Sequence, residues 1–170
     1  NYASSGIGAT SHLAHELLNN MAGIKTVHVP YKGTVPGLID LISGRVHIML
    51  GIMQGTLPYA KAGKIRALAV SGSKRSSSAP ELPTIAESGV PGFEFTSWNG
   101  VHVTAGTSKA IIAKLHAELL KILALPDVKE RMFDLGLEPV GSTPEELGAL
   151  VNANIEKWGK LIRDLGVRVE

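Results

Sequence analysis

Ser4-Ser5-Gly6-Ile7-Gly8-Ala9-Thr10 is the stretch on which the reading of this chain turns. Before it, Asn1-Tyr2-Ala3-Ser4 reads as the end of a strand. After it, residues 9–21 place Leu13, Leu17, Leu18 and Met21 at helical spacing, and Gly23 is a helix stop. The stretch is therefore a strand-to-helix turn with two hydroxyls, two glycines and a third hydroxyl. A helix start leaves backbone N–H groups unpaired and carries a partial positive charge. Glycines let a ligand approach those groups closely. Two readings stay open on this pattern: an anion site, or an ordinary glycine turn with a Ser or Thr cap. No lysine or metal ligand follows at Walker spacing, so a carboxylate suits the site better than a nucleotide phosphate.

Working outward, short strand and helix signals alternate. Residues 26–29 form a β-rich run ended by Pro30. Residues 36–42 read as a helix with Pro36 in its first turn and Gly44 past its end. Residues 45–50 are the next strand, 57–62 a short helix, and 65–70 a continuous apolar strand expected to be buried on both faces. Such alternation predicts an α/β fold with a partly parallel sheet, whose ligands sit at the carboxyl ends of strands. Three loops then matter: 4–10, 30–34 and 51–56.

Farther on, 71–83 is a small-residue loop, 84–88 a brief helix, and 93–103 an extended aromatic segment with Phe93, Phe95 and Trp98. Beyond it the chain turns helical. Residues 108–123 carry Ile111, Ile112, Leu115, Leu119 and Ile122 at helical spacing, and 127–135 form another helix. The last helix, 143–165, opens with Thr143 as cap, Pro144 at its first position and Glu146 three after the cap. A lobe boundary falls near residues 95–98.

The 170 residues suffice for one sizeable core. Hydrophobic residues at 44% and charged residues at 19% make a globular balance rather than a disordered chain. A net charge of +2 with scattered basic residues gives no stripe for nucleic acid. With no cysteine, disulfides and thiolate metal sites are excluded. No apolar run approaches the roughly 20 residues that span a bilayer, and no signal-peptide pattern opens the chain.

In the second loop, Tyr31 offers a hydroxyl and an apolar wall, Lys32 a charge, and Gly33 and Thr34 a helix start; surface solvation is the plain alternative for Lys32. In the third, Gly51 offers backbone groups, while Ile52 and Met53 suit packing. His12 and His15 are three apart on a helix, but no further ligand has the spacing to complete a metal site, and a capping or core role suits them better. His12, in the first turn, is also placed to face an anion held there. His28, His47, His102 and His116 share no motif. There is no Gly-x-Ser-x-Gly elbow, and Glu118, Glu145 and Glu146 sit on solvated helix faces, so no constellation calls for catalysis; an enzyme using His12 as base lacks a second group.

Taken in order, YASSGIGATSHLAHEL, VHVPYKG, LISGRVHIML, AGKIRALAVSGSKR, LPTIAESGVPGFEFTSWNGV and EPVGSTPEELGALVNANIEKWGKLI span nearly the whole chain. They resemble the tripartite tricarboxylate transporter substrate receptors, the TctC-like or Bug extracytoplasmic solute receptors of bacteria. The resemblance implies a type II periplasmic-binding-protein architecture, in which two α/β lobes close over a ligand. It implies a small carboxylate ligand, no cofactor, periplasmic localisation, and delivery to a large and a small membrane transporter subunit. By analogy Ser5, Gly6, Ile7, Gly8, Ala9, Thr10 and His12 line the cleft on one lobe. Tyr31, Lys32, Gly33 and Thr34 match a second cleft loop, and Gly51 stands in the third.

The sequence departs from the family pattern in three ways. Family members are considerably longer, so residues 1–96 are expected to be the second α/β lobe and residues 97–170 the returning helical part of the first, with the rest of that lobe and the signal peptide preceding Asn1. Ala9 stands where the family often has Ser or Thr, and Gly51 where many relatives carry an acidic residue, which speaks against an amine-bearing ligand. Helices that normally cover a first-lobe sheet would leave Ile111, Leu115, Leu119 and Ile122 exposed. The expectation is a homodimer, a rearranged packing or a second chain over them. The competing expectation is a ligand-free, oligomerising remnant of a receptor.

Overall fold

The computed structural model describes residues 1–166. Three short strands, β1 (Tyr2–Ser4), β2 (His28–Pro30) and β3 (Ile48–Met49), form a parallel sheet in the order β2-β1-β3. Tyr2 pairs with His28 on one side and with Ile48 on the other. Helix α1 (Thr10–Ala22) connects β1 to β2, α2 (Thr34–Ile42) connects β2 to β3, and α3 (Met53–Lys61) follows β3. Parallel neighbours require such crossovers, and a strand order with β1 in the middle gathers the three strand-to-helix loops at one edge.

Helix α1 stops at Gly23, whose left-handed conformation lets its N–H close on Asn19 and Asn20. Its buried surface is mixed. Leu13 and Ala14 join Phe93 and Phe95 in the apolar core, with Leu17, Leu18, Leu50, Ile85, Val90, Trp158 and Ile162 packed around them. His12, His15 and Asn19 are buried as well, against the sheet, whereas Met21 is exposed.

The second half is helical: α4 (Lys109–Ala124), α5 (Pro126–Asp134) and α6 (Pro144–Leu165). Ser108 caps α4 by accepting from the Ile111 N–H. Thr143 and Glu146 form the complete reciprocal cap of α6 that their spacing predicts.

Four expectations need correction. Residues 65–70 form no strand and none of them is buried, with Leu68 59% exposed. A doubly buried strand needs a ladder partner, and the only pairing of this run among the described residues is the Val70–Thr84 bridge. Residues 84–88 make a single hydrogen-bonded turn rather than a helix: between Pro83 and Gly89 there is no length to propagate one. Within it, Thr84 and Glu87 exchange the two hydrogen bonds of a capping box. Helix α3 begins at Met53 instead of 57, so four of the six residues of the third loop are helical. The strand expected over 45–50 shrinks to two residues, since β1 offers it only Tyr2 and Ala3 as partners. No helix among the described residues is long and apolar enough to cross a membrane.

Candidate functional site

The first turn of α1 presents a group of uncapped backbone donors. Ala9, the N-cap, has no side chain to cap with, and no acidic residue lies in the first turn. Among the described residues the amides of Thr10, Ser11 and His12 have no hydrogen-bond partner. The capped-turn alternative therefore does not describe this helix start, and the positive end of its dipole is uncompensated. Helix α2 begins in the same way, at Gly33, with neither a side-chain cap nor an acid.

The preceding loop is held by its own serines and imidazoles. The Ser5 N–H donates to Ser11 Oγ at 2.9 Å, and the two hydroxyls lie 3.0 Å apart. Ser4 Oγ is bonded to both the N–H and the carbonyl of Gly6. The Gly8 N–H donates to His12 Nδ1 at 3.0 Å. Gly8 has φ +73°, which glycine adopts without the penalty a side chain would meet.

The first two loops are joined directly. The Tyr31 and Gly33 amides donate to the Ser4 and Ser5 carbonyls at 3.1 Å each. Thr34 comes near Gly55 of α3, so all three loops gather at the carboxyl ends of the strands. Ser5, Gly6, Gly8 and Ala9 are half-buried, and Ile7 and Thr10 are exposed. Lys32 is exposed and has no ion pair among the described residues.

The Tyr31 hydroxyl, expected to be offered at the loop beside an apolar wall, has a partner within the chain. It donates to Asp40 Oδ2 at 2.8 Å, and the Tyr31 ring packs against Gly37. That bond, together with Arg45 at 2.7 Å, holds the Asp40 carboxyl below its ordinary range. A Cβ on Gly51 would stand 2.5 Å from Thr56 Cγ2, so the third loop presents backbone there for steric reasons.

Thr10, Ser11 and Gly51 form part of the wall of an open, largely apolar trough of about 1950 Å³. Its other walls are α3, residues 65–76 and 95–103, and the inward faces of α4 and α6. Ser5 to Ala9 and Tyr31 to Thr34 lie outside that wall. The free amides of α1 thus sit at one edge of a space larger than the roughly 300–1,000 Å³ of ordinary ligand pockets.

The core role expected for His12 and His15 holds, since both are buried, but sequence reasoning missed the group they form beneath the loop. Tyr2, His12, His15 and His28 form one stack of near-parallel rings, with centroid separations of 3.7 Å for Tyr2–His15, 4.8 Å for Tyr2–His28 and 4.0 Å for His12–His28. Tyr2 donates to Glu16 Oε1 at 2.5 Å, and burial followed by this carboxylate pushes its phenol up. Burial lowers His12 and His28, and takes His15 down to about 4. The available signal was the spacing of His12, His15, Glu16 and Asn19 on one α1 face opposite Tyr2 and His28. Among the described residues no group of three or more metal-ligating side chains converges.

This arrangement sets strand-end loops and an uncapped helix start beside a wide, open trough. Comparison with known proteins gives the family. The family described as tripartite tricarboxylate transporter family receptor, TctC, matches residues 1–167, and the chain belongs to it. It is 41% identical, over 95% of its length, to the UPF0065 protein in the tcbD-tcbE intergenic region of Pseudomonas sp. strain P51. The fold matches R. palustris Rpa4515 with adipate at TM-score 0.91 and 38% identity, covering 98% of this chain. It matches the periplasmic binding protein BugD at TM-score 0.87 and 37% identity, covering 99%. The chain spans 48% of the Pseudomonas relative and 56% and 57% of the two solved chains, about half the length of each. The expected type II periplasmic-binding-protein-like α/β class therefore stands.

Proposed function

We propose that this chain is part of an extracytoplasmic receptor that holds a small organic carboxylate at the start of α1 and delivers it to a membrane transporter of large and small subunits. The observation that carries this reading is the uncapped first turn of α1, whose Thr10 and Ser11 border the trough. Ser5, Gly6, Ile7, Gly8, Ala9 and Thr10 form the carboxylate loop, and Tyr31, Lys32, Gly33, Thr34 and Gly51 its neighbours on the flanking loops. Recognition runs through backbone N–H groups, with Lys32 adding charge. Residues 1–96 then act as one α/β lobe and residues 97–170 as the helical part of the other. The adipate bound to the R. palustris protein supports the ligand class, and the periplasmic relative supports the location. No reaction is assigned to the site: His12 has Nδ1 engaged by Gly8, and among the described residues no second titratable group hydrogen-bonds to its ring.

Calorimetry against adipate and a panel of di- and tricarboxylates tests the reading. Saturable heat with at least one acid is expected, and silence across the panel would end it. A Gly8→Val variant, measured beside it, should lose affinity while keeping its fold.

A second reading has its own support. The trough is wider than a ligand pocket, and Ile111, Leu115 and Ile122 are 53%, 44% and 48% exposed, with Leu119 half-buried beside them. A chain that self-associates through α4 without holding a ligand would leave Gly8→Val without effect on any binding signal.

A further inference from the structure

The polar face of α1 is arranged around a loop rather than around a cavity. His12, His15, Glu16 and Asn19 follow each other at helical spacing and stand over Tyr2 of β1 and His28 of β2. The ring order is His15, Tyr2, His28, His12, with the last pair 4.0 Å apart and 8° from parallel. Two members of the stack reach up into the glycine loop. His12 Nδ1 accepts the Gly8 N–H at 3.0 Å, and His28 Nε2 lies 2.6 Å from Ser4 Oγ, which in turn is bonded to Gly6 at both N–H and carbonyl.

The Gly8 contact fixes the chemistry of His12. To accept from an amide, Nδ1 must carry its lone pair, so the ring is neutral with its hydrogen on Nε2. An imidazolium carries hydrogen on both nitrogens, and N–H would then oppose N–H at 3.0 Å. His28 tolerates a proton better, because Ser4 Oγ is able to accept as well as donate. With the rings face to face at 4.0 Å, however, a proton on His28 disfavours one on His12, and the two titrate as a pair.

We propose that His12 is a positioning residue of the carboxylate loop, holding Gly8 in its left-handed conformation as a neutral imidazole, and that protonation of the His12–His28 pair releases the loop. Its consequence for ligand rests on the carboxylate reading above; its consequence for Gly8 does not. The groups that face the pair come from α1 and β1. Glu16 on α1 draws protons towards it, His15 on α1 lies beyond Tyr2 in the stack and stays neutral above about pH 4, and Tyr2 of β1 intervenes as a neutral phenol bonded to Glu16. Burial outweighs Glu16 for both rings, so both titrate on the acid side of an ordinary imidazole.

The test follows the Gly8 and Gly6 amides and the histidine ring carbons by NMR from pH 8 to 4.5 in the whole chain. The Gly8 amide is expected to move with the same midpoint as His12. In His12→Asn, whose side-chain oxygen still accepts from Gly8, that step should vanish while the Gly8 signal stays near its neutral-pH position. In His12→Phe, which keeps the stack and loses the acceptor, Gly8 should take its acid-form position at every pH. Adipate affinity, read in parallel, should fall about tenfold from pH 7.5 to 5 in the parent chain, as expected for loss of one well-placed hydrogen bond. His12→Asn should show a flatter profile. Protonation of adipate itself is common to all three proteins, so their difference isolates the protein's part.

A Gly8 amide that ignores the His12 titration overturns the proposal, as does a His12→Phe protein with the parent's profile. Should that variant fail to fold, the parent titration alone decides. If adipate binds at no pH while Gly8 still follows His12, the carboxylate reading fails and the positioning role stands.

Discussion

The indole of Trp158 lies 4.5 Å from the ring of Phe95, tilted by 40°, and this contact ties the last helix to the segment that leaves the α/β half of the chain. Phe95 is 6% exposed and shares its core with Leu13 and Ala14 of α1. Removing it opens a void that α1 and α6 both border. Phe95→Ala should therefore cost about 3–5 kcal/mol in urea unfolding. Trp158→Ala should cost less, on the order of 2 kcal/mol, because that side chain is only partly buried and keeps some contact with water. Equal and negligible losses for both would show that α6 is not held through this contact.

His15 makes the fold acid-sensitive in a defined window. Its Nε2 lies 3.2 Å from Thr26 Oγ1, which itself donates to Asn19, so Nε2 carries the hydrogen and Nδ1 is bare. That Nδ1 is buried with no partner, and a proton there has nowhere to bond. The folded pKa, near 4, lies below the ordinary 6.5, so the unfolded chain binds the extra proton first. Stability from this group is complete above about pH 6.5 and falls as pH drops towards 4. The loss by pH 4 should be on the order of 2 kcal/mol after allowing for solvent screening. His15→Phe keeps the stack on Tyr2 and removes the titrating atom. Its unfolding midpoint should match the parent's at pH 7.5 and exceed it at pH 4.5; equal midpoints at pH 4.5 would remove His15 from the account.

Whether these features were legible in the sequence depended on how local their causes are. The cap of α6 needs only Thr143 and Glu146 three residues apart, and both spacing and geometry agree. The stop of α1 at Gly23 and the parallel alternation of strands and helices are equally local. Residues 65–70 misled because a run of apolar residues specifies burial but not a ladder partner, which must come from elsewhere. The imidazole stack was hidden for a related reason. Leu13, Leu17 and Leu18 announce one buried face of α1; a core role for His12 and His15 was legible too, but not the ring stack they make once Tyr2 and His28 are set against them. Tyr31 shows the same limit at the site: its loop was placed correctly, but the hydroxyl's partner, Asp40, lies nine residues on.

Tyr31→Phe separates wall from donor. Since the hydroxyl donates to Asp40, its removal should leave adipate affinity unchanged. The Asp40 carboxyl, no longer held by its largest stabilising contact, should titrate closer to the ordinary range. Carbon-detected NMR of Asp40 and calorimetry on the same sample read both effects. A marked loss of affinity with Asp40 unmoved would return the hydroxyl to the ligand.

The face of α4 sets the last expectation. Ile111, Leu115 and Ile122 recur on one side of the helix, each about half exposed, and Leu115 and Ile122 also form part of the trough wall. Scattered apolar residues are common on surfaces, but a continuous row beside an apolar trough favours association. Light scattering across a concentration series should give a mass above that of one chain. Replacing Ile111, Leu115 and Ile122 together by lysine puts three like charges on the row, and should return the mass to a single chain without unfolding α4, since lysine is a good helix former. A parent chain that stays monomeric at every concentration argues that α4 is not a contact surface between copies. Association that survives the triple substitution moves the contact to another face.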